Sequence, residues 1–184
     1  MSLTVRPGRP EDAAAIADIF VETWRDTYAG MLPDRVLVNM STEAQAGYWQ
    51  RILASRRPEE LVRVVEDTKA GLVAFGSAGP LRRSKSREGE VYTLYVRPAW
   101  QGRDLGRQLL AALLLGLRDR GCRQGLVWVV AANPSRFFYE AVGGQRAVER
   151  VQRLWGEDIA QVAFRWPDIG AALKGPLAEK NGEG

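Results

Sequence analysis

The sequence predicts a mixed α/β (α+β) fold, a central, mostly antiparallel sheet of about seven strands flanked by helices, on three observations. Short β-branched runs recur between turn residues. A leucine-rich stretch with helical spacing stands between the strand over 89–96 and the one over 125–132. The run "GLVWVVAA" (125–132) is almost continuously apolar, as a strand covered on both faces would be. With 184 residues, 46% hydrophobic and 26% charged, the chain fits one globular domain, expected over 1–168, followed by a flexible tail over 169–184.

The elements follow in order. "LTVRP" (3–7) reads as a strand, and Ala13, Ile16, Ala17, Phe20 and Trp24 then recur at helical spacing behind Asp12, the expected cap. Gly30 and Pro33 interrupt that helix. Thr42 and Gln45 have the spacing of a capping box opening a second helix, with Ala46, Trp49, Ile52 and Leu53 inward. "ELVRVVED" (60–67) and "GLVAFGSAG" (71–79) flank the turn signal "DTKAG" and read as a hairpin. "GEVYTLYV" (89–96) is the fourth strand. Leu109, Leu110, Leu113, Leu114 and Leu117 form the stripe of the third helix, and Gly121 stops it. "NPSRFFYEAVGG" (133–144) carries a capping Asn, a Pro suited to a first turn and terminal glycines, the signs of a short helix. Strands over 145–155 and 159–166, turning at "GED", complete the order β-α-α-β-β-β-α-β-α-β-β.

Composition removes several chemistries. There is no histidine, so Ser-His-Asp and Cys-His nucleophiles are excluded, and with one cysteine, Cys122, no disulfide and no zinc site is expected. No apolar run spans a membrane and no secretory signal opens the chain, so a cytoplasmic protein without membrane partners is expected. Net charge is +4, and "RRSKSR" (82–87) reads as a solvated basic loop; a nucleic-acid partner is disfavoured.

The segment "RPAWQGRDLGRQLL" (97–110) places two glycines and two arginines directly before a helix. A helix N-terminus offers unpaired N–H groups and the positive end of its dipole to an anion. Gly102 and Gly106 would let backbone approach it, and Arg103 and Arg107 would add charge suited to a pyrophosphate. The other reading is a turning loop with solubilising arginines.

Context favours the anion site. "LYVRPAWQGRDLGRQLL" resembles the acyl-CoA-binding motif Q/R-x-x-G-x-G/A of the GNAT superfamily of N-acetyltransferases, with Gln101 and Gly106 at its ends. "NPSRFFYEAVG" resembles the family's N-x-x-A-x-x-F-Y-E-x-x-G segment, matched at Asn133, Phe138, Tyr139, Glu140 and Gly143. The resemblance covers about residues 3–166. It departs from the family at Asp104, where a glycine is preferred, at Arg136, which replaces a small residue and either meets the cofactor or faces water, and at Gly144. Asp104 can take unusual backbone angles and cap the helix. Its carboxylate is nevertheless expected to weaken a phosphate ligand, and Asp104→Gly to tighten it.

The resemblance implies acetyl-CoA as acyl donor, with no metal, held along backbone near Leu94 and Val96, by the loop of Gln101, Gly102, Arg103, Asp104, Gly106 and Arg107, and by Asn133 and Arg136. It implies that Tyr139 protonates the departing thiolate, though "FFY" also suits helix packing. Glu90, sharing the Tyr92, Leu94 and Val96 side of the strand alternation, is either a water-relayed base or a strand-end glutamate. Trp24, Tyr28 and Tyr92 are the substrate-side candidates; Trp24 also suits core packing. Glu22 is either a further acid near the amine or a solvated helix glutamate. The implied function is direct acetyl transfer to a primary amine of a small molecule or protein. The alternative is a non-catalytic acyl-CoA-binding regulatory domain. The family often dimerises, so a homodimer is an open expectation.

Overall fold

Leucine spacing decides where the core forms. Leu105, Leu109, Leu110, Leu113, Leu114 and Leu117 are almost wholly removed from water on helix α4 (Leu105–Asp119), and burying such side chains contributes roughly 1.5–3 kcal/mol each. In the computed structural model, which describes residues 2–55, 59–81 and 87–178, α4 crosses one face of a seven-stranded sheet. The strands are β1 (Leu3–Pro7), β2 (Leu61–Asp67), β3 (Gly71–Pro80), β4 (Glu88–Val96), β5 (Gln124–Val130), β6 (Gln145–Leu154) and β7 (Glu157–Trp166), in the spatial order β1-β2-β3-β4-β5-β7-β6. Only β4 and β5 run parallel. A parallel pair needs a long crossover, and α4 supplies it. Most of the basic run 82–87 lies outside the described residues.

The opposite face is covered by α1 (Ala13–Thr27) and α3 (Thr42–Leu53), with the short α2 (Asp34–Val38) between them. Here Ile16, Ile19, Trp49, Val64 and Phe75 form a second core. Ser41, not Thr42, caps α3, its Oγ accepting from Ala44 N at 3.1 Å. The capping box expected from Thr42 and Gln45 is therefore not formed: the cap lies one residue earlier, and Ala44 at the third helical position has no side chain to return the bond. Asp12 precedes α1 but makes no side-chain cap to it. Its carboxylate accepts from Arg9 N at 2.8 Å and from Arg6 at 2.7 and 2.9 Å, tying β1 to the helical turn Pro10–Asp12. Burial opposes ionisation of Asp12, but these bonds prevail and hold its carboxyl below the usual range.

Asp67 closes the β2–β3 hairpin, its Oδ1 accepting from the amides of Lys69 and Ala70 at 2.9 Å. The final hairpin turns at Trp155–Gly156 rather than at "GED": both residues have positive φ, 52° and 82°, the pattern of a two-residue turn matched to strand twist. The chain also remains packed beyond 168. Helix α6 (Ile169–Lys174) is capped by Asp168, and Ile169, Ala172 and Leu177 belong to the α4 core. Their apolar side chains cover β5, α4 and α5 (Ser135–Ala141), which is why residues 169–178 are not the loose tail expected from the sequence.

Candidate active site

A cleft opens where β4 and β5 separate. Their pairing runs from Glu88/Gln124 to Val91/Val127 and stops, although both strands continue. The break coincides with a bulge. β3 pairs Ser77 with Thr93 and Ala78 with Val91, so Tyr92 is the extra residue on β4. A bulge reverses the side-chain alternation. Before it, Val91 joins the α4 core and a Cβ on Gly89 would lie 2.6 Å from Leu117; after it, Leu94 and Val96 face that core while Tyr95 joins the α1/α3 side. Glu90 consequently does not share a face with Leu94 and Val96, as strict alternation would require.

The cleft has a volume of about 860 Å³. Its β4 wall includes Tyr92, Leu94, Tyr95 and Val96, and its β5 wall Val127, Trp128 and Val129. Gln101, Gly102, Asp104, Gly106 and Arg107 border one end; Thr23, Asp26, Tyr28 and Met31 border the other; Asn133 and Tyr139 lie along it. An adjoining pocket of about 370 Å³ on the α1/α3 side shares Tyr92, Thr93 and Tyr95 and includes Trp24, Glu60 and Glu90. Thus most of the expected residues converge, with Glu90 and Trp24 in the adjoining pocket.

At the α4 end, Gly102 and Asp104 both have left-handed backbone, φ 74° and 63°. Gly suits such a position, and Asp tolerates it better than most residues. The first bond to the loop carbonyl is Gln108 N to Asp104 O, 3.2 Å, so the preceding helical amides have no partner within the helix. Gly106 serves packing: a Cβ there would lie 3.3 Å from the Phe138 ring. Gln101 bonds the Val96 carbonyl at 3.1 Å, joining the loop to β4.

The two arginines behave differently from the simple cradle expected. Arg103 stands 4.7 Å over the Trp100 ring. Arg107 is 8% exposed and grips the Asp104 carboxylate through Nε at 2.8 and 2.9 Å and Nη2 at 2.5 Å; its Nη1 bonds Leu177 O at 3.3 Å and Ala178 O at 2.5 Å. The fork geometry of guanidinium makes this possible. Asp104 is therefore charge-compensated, and Arg107 fastens the C-terminal segment to the loop. Arg136 is absent from the cleft wall: it bonds Ala131 O at 2.9 Å and lies over Phe137.

Asn133 is 4% exposed, and its Oδ1 accepts from Ser135 N at 2.9 Å and Oγ at 2.6 Å. Burial pushes the Tyr28 phenol up, against side-chain hydrogen bonding with Asn133 and Tyr95 that favours its anion. Tyr95, which the sequence reading did not single out, accepts from Trp24 Nε1 at 2.9 Å. Its phenol is pushed well up by burial and then by Tyr28. Tyr139 is buried between Phe138, Phe164 and Trp166, and burial, then the neighbouring Tyr28, raises its phenol. It remains protonated at neutral pH.

Trp24 is neither simple core nor isolated. It stacks on Phe20 at 5.2 Å and meets Tyr28 at 4.9 Å and Trp155 edge-on at 6.0 Å. The strained φ of Trp155 is held by that ring contact and by Arg35 Nη2 on its carbonyl at 2.6 Å. Glu22 is paired with Arg97. Among the described residues no cluster of His, Cys, Asp and Glu could hold a metal, and no helix is long and apolar enough to cross a membrane.

Comparison with known proteins agrees with this architecture. The profile of the Acetyltransferase (GNAT) family matches residues 10–143. The chain is 32% identical over 170 residues to the uncharacterized N-acetyltransferase YuaI of Bacillus subtilis, covering 92% of this chain and 95% of that protein. It is 31% identical over 121 residues to an aminoglycoside N(6')-acetyltransferase type 1 of Stenotrophomonas maltophilia, covering 66% and 71%. Its fold superposes on the PaiA N-acetyltransferase of Thermoplasma acidophilum in complex with coenzyme A, with a TM-score of 0.69 at 18% identity over 90% of this chain and 100% of that one. With the splayed parallel strands, the helix-ended loop and the profile match over most of its length, the chain belongs to the GNAT acetyltransferase family and is an acyltransferase.

Proposed function

We propose that the chain transfers an acetyl group from acetyl-CoA directly to a primary amine of a small molecule. The observation that carries this reading is the cleft between β4 and β5, which leads from the N-terminus of α4 to a group of phenols. The residues fit the donor. A Cβ on Gly102 would meet nothing within 4 Å, so the loop is open there, and the α4 dipole favours a phosphate group. Asp104, compensated by Arg107, adds no uncompensated negative charge. This also removes the main ground for a non-catalytic domain. Coenzyme A in the Thermoplasma protein of the same fold supports the choice of donor.

Acetyl-CoA would supply the activated acyl group. The chain's own residues do the rest. Backbone near Leu94 and Val96, left without a facing strand past Val91, orients the donor arm, and the Asn133 amide steadies it. Tyr139 holds a proton on its hydroxyl at neutral pH and gives it to the leaving sulfur. Glu90 lines the pocket that adjoins the cleft at Tyr92, Thr93 and Tyr95, and from there it would take the amine's proton through water. No covalent enzyme intermediate is needed, in keeping with a chain without histidine. The aminoglycoside acetyltransferase relative supports a small amine acceptor.

The test is calorimetric titration with acetyl-CoA and with CoA, followed by thiol release from acetyl-CoA in the presence of primary amines. Saturable binding and amine-dependent thiol release are expected. Binding without release for any amine would favour the regulatory reading, and no binding at millimolar ligand would reject both.

A further inference from the structure

We propose that the acceptor is a small aliphatic amine carrying a second positive charge, with that second ammonium held by Asp26 at the α1 end of the cleft. The inference rests on the acetyl transfer proposed above and names the class of amine.

Asp26 lies in the last turn of α1, and with Thr23 and Thr27 it borders the cleft. Residues three and four apart share a helix face, so Thr23 stands beside Asp26 and Thr27 on that side. Thr23 is 3% exposed, yet its Oγ1 has no hydrogen-bond partner. Buried hydroxyls are nearly always bonded. The missing partner here fits an N–H donor arriving in the cleft.

Charge points the same way. Asp26 makes no ion pair among the described residues. Its neighbour Arg25 is bonded to the carbonyls of Leu37 and Met40, and the other acid of this turn region, Glu22, is paired with Arg97. At the far end, Asp104 and Arg107 compensate each other. The adjoining pocket adds Glu60 and Glu90, so among the described residues every charged side chain bordering this half is acidic. Trp24 and Tyr28 add ring faces that attract cations. A monoamine would use only the reacting position. A second ammonium a few methylenes away would meet Asp26 and Thr23.

The occupant is a free small molecule rather than a protein chain. Trp155 and Arg35 tie the β6–β7 turn to the helices at this end, and a cleft of about 860 Å³ is of small-ligand size.

The experiment compares 1,4-diaminobutane with butylamine, by initial rates of thiol release at saturating acetyl-CoA, in wild type and Asp26→Asn. One charge pair in a partly open site should favour the diamine by about three- to fivefold in kcat/KM, mostly through KM, with the advantage shrinking as salt is added. Asp26→Asn should bring the ratio near one, and Asp26→Glu should recover part of it. Equal use of the two amines by wild type, an unchanged ratio in Asp26→Asn, or better use of a lysine peptide than of the diamine overturns the proposal. Acetyl-CoA calorimetry on the same samples separates the failures. Donor binding and transfer without a diamine preference rejects the second-cation subsite alone. Absent donor binding rejects acetyl transfer, and direct calorimetry with 1,4-diaminobutane then decides the subsite, Asp26→Asn being the variant expected to lose binding.

Discussion

At the α4 end of the cleft the groups on offer are backbone amides, a glycine and an aspartate in left-handed conformation, fixed by one helix and its loop. At the α1 end they are side chains: Tyr28 from the exit of α1, Tyr95 from β4 and, in the adjoining pocket, Trp24, which is backed by Trp155 from a hairpin turn. A phosphate can be met by backbone, because every residue carries an N–H and a helix aligns them. An amine must be met by particular oxygens and rings, gathered from whatever segments reach it. The donor end is thus local in the chain, within residues 96–107, whereas the acceptor end joins positions more than a hundred residues apart.

Tyr139→Phe probes the point where the two ends meet and should have the largest effect. Turnover should fall by about 100-fold or more, since a positioned proton donor contributes that much, while acetyl-CoA affinity stays within about twofold by calorimetry. Unchanged turnover would pass the proton-donor role to Tyr28 or Tyr95.

The donor end can be broken by Arg107→Ala, which leaves a carboxylate without its partner and frees the segment around Leu177. A loss of roughly 3 kcal/mol or more is expected in denaturant titration. Asp104→Gly should cost less, about 1–3 kcal/mol, because glycine accepts the backbone angle and Arg107 keeps its carbonyl partners. Tighter acetyl-CoA binding by Asp104→Gly, the outcome expected from the sequence, would follow equally from release of the Arg107 charge, so the stability loss is the readout that tests the pair.

Trp155→Ala sharpens the contrast from the other side. Losing an edge-on ring contact should raise the amine KM by about three- to tenfold and leave acetyl-CoA binding unaffected. Equal losses for both ligands would show that the two ends are not independent.

The smallest effect concerns alkaline pH. Tyr28, Tyr95 and Tyr139 all have phenols raised in the folded state. Above about pH 10 the unfolded chain releases these protons while the folded one keeps them, so stability should be steady below that pH and fall as pH rises through it. Denaturant midpoints from pH 8 to 11 measure the slope, and Tyr139→Phe should flatten it. An unchanged slope in that variant would contradict the raised Tyr139 phenol.

The donor end was legible because its signals are contiguous. The stripe of leucines, the glycines and Gln101 fall within one short window, and apolar periodicity gives the helix that follows them. What the window could not disclose was the use of Arg107, since its carbonyl partners lie seventy positions away. Glu90 was misplaced for a different reason. A one-residue bulge at Tyr92 leaves no mark on composition, yet it transfers every earlier residue of β4 to the other face. Tyr95 and Trp155 were missed because strand patterning reports inside and outside, not which distant ring will stand opposite.

Arg107 also bears on how the chain acquires its shape during synthesis. The guanidinium and Asp104 are three residues apart, while Leu177 and Ala178 are made much later. A nascent chain that has already formed α4 therefore carries Arg107 with its carbonyl partners still to come. Asp104 is the partner already present in that interval, and the carbonyls of the last residues add to the same guanidinium once they are made.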